Sequence, residues 1–242
     1  MKLNFKEWEE VIKRPDWYKF IYKKLLELQE LKLKELDVYE QNKEKIYDFF
    51  EKHLEIGDIF LGKTGKNWDK ERKPIDTIVI HHTSNKPGLS KERLSAIELF
   101  RLYMLAYANP KDKNDIEVVD QPIYSGHFRN GKQIFFVYHW LIRKDGTVEQ
   151  LLFDDEIGWQ SGDGDINCRS VAIVLDNDLE NSKPSGKEME AVAKIIKTKY
   201  PKIDKSRIFG HREINLKTTC PSNLFLSTPT FRGWKEDLLS II

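Results

Sequence analysis

Cysteine is almost missing from this sequence. Only Cys168 and Cys220 are present, which excludes a disulfide framework, and a single cysteine near histidines reads as a ligand or nucleophile. Long apolar runs are missing as well, since none approaches the roughly 20 residues needed to cross a bilayer. The opening stretch MKLNFKEWEEVIKRPDW is charged throughout and has no apolar signal core, so synthesis in the cytoplasm is expected. Charge bias is also lacking. The 40 Lys and Arg offset 39 Asp and Glu to leave +1, which gives no electrostatic reason to expect nucleic acid or an anionic membrane as partner. What is present is 40% hydrophobic and 12% aromatic residues, enough for a real core, so a wholly disordered chain is excluded.

Glycine is absent from residues 1–56, where Pro15 is the only proline, whereas the rest of the chain holds all 13 glycines. That shift divides the chain into a helical N-terminal extension (1–56), a linker (57–74) and a main domain (75–242). Within the extension, Asn4 and Glu7 resemble a capping box, and Pro15-Asp16 restarts the chain. Trp17, Ile21, Leu25, Leu28, Leu36 and Tyr39 then recur at helical spacing. A polar interval, Glu40 to Lys45, precedes Ile46, Phe49, Phe50 and Leu54, so the pattern fits one long helix or a hairpin. The expectation is an appendage packed on the main domain; the sharper alternative is self-association through these helices.

From Ile75 strands and helices alternate. IDTIVIHHT (75–83) and SVAIVLD (170–176) read as buried strands, and VYHWLIRK and TVEQLL, joined by Asp145-Gly146, as a hairpin. Residues 90–110 read as a helix opened by Ser90, residues 185–201 as a helix with a Ser185/Glu188 capping box, 207–211 as a last strand, and 231–242 as a terminal helix. Residues 111–136, with Gly126-His127 and Asn130-Gly131, read as an irregular insertion. The class is α/β, a mixed central sheet flanked by helices.

Three places put a metal-capable side chain at a strand end: His81-His82, His211, and Cys220 in LKTTCPS. Strand ends on one side of an α/β sheet converge, so distant residues can meet there. Two imidazoles and a thiolate with one open position make a zinc site of catalytic type. A closed structural site would need a fourth ligand, for which His82, His139 and Cys168 are available. Neighbouring strand residues point to opposite faces, so periodicity does not choose between His81 and His82.

IVIHHTS, YHWLIRKDGTVEQLL, GWQSGDGDINCRSVAIVL and FGHREINLKTTCPS, in that order over residues 75–226, resemble the motifs of zinc-dependent N-acetylmuramoyl-L-alanine amidases. These are the domains shared by phage endolysins and peptidoglycan recognition proteins. The resemblance implies hydrolysis of the amide between N-acetylmuramic acid and L-alanine in peptidoglycan or muropeptides. It implies Zn2+ on His81, His211 and Cys220, with His82 left to the pocket or to packing. It implies Tyr138 as catalytic tyrosine, with Thr218 first and Lys217 second as helpers at the oxyanion. Trp159, Gln160, Asn167 and Arg212 are the residues expected to meet sugar or peptide. Two positions depart from the pattern. Gln160 stands where many relatives have His, and Val174 where some have a Glu, so a Glu-based mechanism does not carry over. Retention of the cysteine favours an enzyme over a non-catalytic recognition module, the main alternative. Action on the cell wall would follow release from the cytoplasm.

Overall fold

The computed structural model describes residues 3–32, 34–110, 118 and 120–242. These form two compact units, one of Met1–Asn67 with Ser90–Phe136 and one of Trp68–Leu89 with Val137–Ile242. This division differs from the expected 1–56 extension and 75–242 domain. The helical stretch after Ser90 packs with the N-terminal helices, so one unit is made of two separate chain segments.

In the first unit, α1 (Phe5–Val11), α2 (Trp17–Lys32) and α3 (Leu36–Ile56) surround an aromatic core. Trp8, Ile12, Trp17, Tyr18, Ile21 and Phe50 are fully buried. The expected capping box at Asn4 does not form, because the Asn4 amide turns to the Glu7 carboxylate at 3.4 Å and only backbone bonds open α1. The chain breaks before Leu36, and the polar interval 40–45 lies inside α3. After Ser90, whose hydroxyl accepts from the Arg93 N–H at 2.9 Å, come α4 (Lys91–Glu98), a π-helical turn (Leu99–Met104) and α5 (Leu105–Ala108). Phe100 packs on Tyr47 and Phe50 with ring centroids 5.6 and 5.5 Å apart, and Arg93 pairs with Asp48 and Glu51. Of the expected irregular insertion, residues 111–117 and 119 lie outside the described residues. The remainder includes a short hairpin of β2 (Phe128–Arg129) and β3 (Lys132–Gln133). Its turn residues Asn130 and Gly131 both have positive φ, 51° and 74°, the backbone that a two-residue hairpin loop demands.

The second unit is an α/β layer. Its sheet comprises β1 (Thr77–His82), β4 (Trp140–Ile142), β5 (Val148–Gln150), β6 (Ser170–Leu175) and β7 (Ile208–Gly210) in the order β5-β4-β6-β1-β7. All neighbours run parallel except β4 and β5, which are joined by the expected hairpin turn. The helices are α6 (Gly164–Arg169), α7 (Gly186–Lys199), α8 (His211–Ile214) and α9 (Trp234–Ile241). The Ser185/Glu188 box opens α7 as expected, with reciprocal bonds of 3.2 and 2.7 Å. Ile78, Ile80, Ile173 and Ile142 face the apolar stripe of α7 and α9, including Val192, Ile196, Trp234 and Leu238. Strand alternation therefore sends His82 toward this layer and His81 to the opposite face.

One buried charge fixes the loop after β1. The Asp176 carboxylate, fully buried, accepts from Arg143 at 2.6 Å and from the Gly88 and Leu89 N–H groups at 2.7 and 3.3 Å. Asp176→Ala strands the Gly88 and Leu89 N–H groups and takes one carboxylate partner from Arg143, which keeps Glu149 and the Leu89 carbonyl. It is expected to cost about 3 kcal/mol, near the lower end for a broken buried pair because Arg143 keeps some solvent. A urea midpoint unchanged from wild type would contradict this.

Candidate metal centre

Ile80 of β1 pairs with Gly210 of β7, so the next residues, His81 and His211, emerge side by side at the same end of the sheet. Their ring centroids are 4.8 Å apart. His211 begins α8 rather than closing the strand. The loop that follows is folded back by Arg212, whose N–H donates to the Cys220 carbonyl at 2.7 Å and whose guanidinium donates to the Ser222 carbonyl at 2.9 Å. This return brings Cys220 Sγ to 3.7 Å from His81 Nδ1. One donor atom each from His81, His211 and Cys220 lies within 4.8 Å of the others.

The donor set fits a zinc ion. Ligand bonds of 2.0–2.3 Å at tetrahedral angles place nitrogen and sulfur donors about 3.5 Å apart. His211 Nε2 is buried with no hydrogen-bond partner, an arrangement that is costly unless something accepts its lone pair. Burial pushes the His81 imidazole well below its usual pKa, helped by the nearby His211 ring. Burial also lowers His211, against an opposing hydrogen bond with the Ser161 backbone. Both rings are thus held neutral, the form that binds a metal. The same geometry leaves out the three candidates for a fourth ligand. His139 is bonded to the Ala172 N–H and the Glu156 carbonyl at 3.1 and 3.0 Å, and neither His82 nor Cys168 is in the cluster.

Tyr138, half-buried, brings its ring to 5.2 Å from that of His81. Thr218 lies two residues before Cys220 with its Oγ1 accepting the Cys220 N–H at 3.1 Å. Lys217 is exposed, its backbone N–H held by the Asn215 side chain at 3.0 Å. Trp159, half-buried, meets Trp68 edge-on at 5.3 Å.

Gln160 and Asn167, expected to meet sugar or peptide, are turned into the protein, and so is His82, whose two alternatives are the pocket and packing. His82 is 4% exposed; its Nδ1 accepts the Leu179 N–H at 2.9 Å and its Nε2 lies 2.8 Å from Ser84 Oγ. The Asn167 carbonyl oxygen accepts from the Gln160 N–H, the Ser161 N–H and the Ser161 hydroxyl at 3.1, 3.0 and 2.9 Å. Gln160 is 6% exposed, with Oε1 at 2.6 Å from His81 Nε2 and Nε2 donating to Ser170 Oγ at 2.8 Å. The physical reason is the same in each case: a buried polar group needs a partner, and the protein supplies it. Ser161, whose backbone meets the His211 ring, carries no signal in the sequence that marks this contact.

Gly158 shows how tightly the loop before Gln160 is drawn against the segment that bears Tyr138 and leads into β4. A Cβ at this position would overlap the Val137 carbonyl oxygen. Gly158→Ala is expected to cost about 1–3 kcal/mol, as overpacking does, and to weaken metal retention. A variant with wild-type melting temperature and zinc content would contradict this packing.

A mixed sheet with two histidines and a cysteine brought together at one end, donors that could hold a metal ion, defines the class as α/β. The family follows from the sequence: the chain belongs to the N-acetylmuramoyl-L-alanine amidase family, whose model matches residues 71–223. Among solved structures the chain is similar to N-acetylmuramoyl-L-alanine amidase LysC from Clostridium intestinale URNW, at 17% identity over 74% of this chain and 89% of that one, with TM-score 0.44. It is also similar to the Ph2119 endolysin from Thermus scotoductus MAT2119 bacteriophage Ph2119, at 17% over 70% and 85%, TM-score 0.43. A third is Drosophila PGRP-LB, at 18% over 73% and 94%, TM-score 0.39. A comparison with curated proteins returns no match. Among the described residues no helix is long and apolar enough to cross a membrane.

Proposed function

We propose that this chain is a zinc-dependent amidase that cuts the bond between the lactyl group of N-acetylmuramic acid and L-alanine, in peptidoglycan or its muropeptide fragments. The observation that carries this reading is the convergence of three donors, His81, His211 and Cys220, in a member of the amidase family. Zinc held there would supply a Lewis acid for the scissile carbonyl and an activated water at neutral pH.

The chain's own groups do the rest. The Tyr138 side chain, acting as the phenolate, holds the attacking water and takes its proton, and the phenol so formed gives that proton to the departing amine of L-alanine. The Thr218 hydroxyl donates to the carbonyl oxygen as negative charge builds there; Lys217 brings a full charge to the same rim and ranks second because it is exposed. Trp159 offers an aromatic face to a sugar ring, and Arg212 has N–H groups beyond the one given to Ser222 for a stem-peptide carboxylate. The complete donor set favours turnover over a module that only binds peptidoglycan.

Metal removal tests this. Protein stripped with a zinc chelator is expected to lose amidase activity on purified muropeptides and to recover it on addition of about one equivalent of zinc. Activity that persists in metal-free protein would contradict the assignment.

A further inference from the structure

The segment Gln160–Ser161 touches both histidines of the donor cluster. Gln160 Oε1 lies 2.6 Å from His81 Nε2, and the Ser161 backbone bonds the His211 ring. The segment is itself pinned, since one acceptor, the Asn167 side-chain oxygen at the start of the chain's return to β6, takes three of its donors. All of these side chains are buried: Gln160 and Asn167 are 6% and 5% exposed, and Ser161 is fully buried.

The direction of the hydrogen bonds follows from the chemistry. The Gln160 Nε2 group can only donate, and it gives a proton to Ser170 Oγ at 2.8 Å. Its Oε1 can only accept, so the hydrogen shared with His81 belongs to His81 Nε2. A neutral imidazole carries one N–H. Placing it on Nε2 leaves the Nδ1 lone pair facing Cys220 Sγ, 3.7 Å away. With the amide reversed, an N–H would face His81 Nε2, the ring hydrogen would move to Nδ1, and the donor cluster would meet a proton instead of a lone pair.

We infer that Gln160 is a positioning residue of the metal centre: it fixes the Nε2–H tautomer and the ring angle of His81, while Asn167 holds the Gln160–Ser161 segment against both histidines. This role rests on the proposed zinc reading and adds to it. Metal-bound histidines commonly give their second N–H to such an acceptor, and losing the acceptor weakens metal binding about 10–100-fold. The residue at this position therefore tunes the metal, and the sugar or peptide chain of the substrate need not reach it.

The test compares wild type, Gln160→Met, which keeps the volume without the acceptor, and Gln160→Glu, which keeps an acceptor. Zinc affinity is read by competition with a chromophoric chelator, and the His81 tautomer by long-range proton–nitrogen NMR of the zinc-free protein. Wild-type His81 is expected to carry its hydrogen on Nε2, Gln160→Met to lose about 10–100-fold in zinc affinity, and Gln160→Glu to restore most of it. Wild-type affinity in Gln160→Met, or a hydrogen on Nδ1 in zinc-free wild type, would overturn the inference while leaving the metal reading intact. Failure of wild type itself to bind zinc would overturn both. The NMR measurement on wild type decides the tautomer even if Gln160→Met does not fold.

Discussion

Cys220→Ala is expected to abolish both zinc retention and amidase activity. Cys220 is the only sulfur donor of the cluster, and the thiolate carries the only negative charge among its three donors. Two neutral imidazoles remain in the variant. Loss of a hydrogen-bond acceptor behind a ligand already costs 10–100-fold in affinity, so loss of the ligand itself is expected to exceed about 100-fold. Folding should survive, since the side chain is small and its loop is held by backbone and Arg212 bonds that the substitution leaves in place. The readout is thermal melting with and without zinc, because a ligand that binds only the folded protein raises its melting temperature. Wild type should be stabilised by zinc and Cys220→Ala should not. Equal stabilisation of both would remove Cys220 from the ligand set.

The second large effect is expected of Tyr138→Phe. The substitution keeps the ring that packs 5.2 Å from His81 and removes only the hydroxyl oxygen. A positioned acid–base group contributes about 10²–10⁴-fold, so kcat should fall by that factor, about 3–5 kcal/mol of barrier. KM, zinc content and melting temperature should stay near wild type, because neither the metal donors nor the packing change. A kcat within a few-fold of wild type would make Tyr138 a packing residue. Thr218→Val is the companion variant, since it deletes the hydroxyl that accepts the Cys220 N–H and is proposed to donate to the oxyanion.

The sheet was legible from the sequence because its signals are local. The β-branched runs at 75–83 and 170–176, the Asp145-Gly146 turn and the Ser185/Glu188 box each state an element within a few residues. The choice between His81 and His82 was not local. Alternation separates the two faces, but which face holds the donors depends on where α7 and α9 lie, at the other end of the chain. The partnership of the Ser90 stretch with the N-terminal helices is equally non-local, set by Phe100 meeting Tyr47 and Phe50. The Asn130-Gly131 hairpin carries a local signal inside the stretch that otherwise reads as irregular. Gln160 and Asn167 read as residues that meet sugar or peptide, and His82 as a pocket or packing residue; their hydrogen bonds to Ser170, Ser161 and Leu179 join positions that no spacing rule brings together.

The most direct measurement is mass spectrometry of a purified muropeptide incubated with the zinc-loaded protein. The products expected are a saccharide ending in a free lactyl carboxylate and a stem peptide with a free L-alanine amine. Cleavage at any other bond, or an intact muropeptide beside protein shown to hold zinc, would contradict the account.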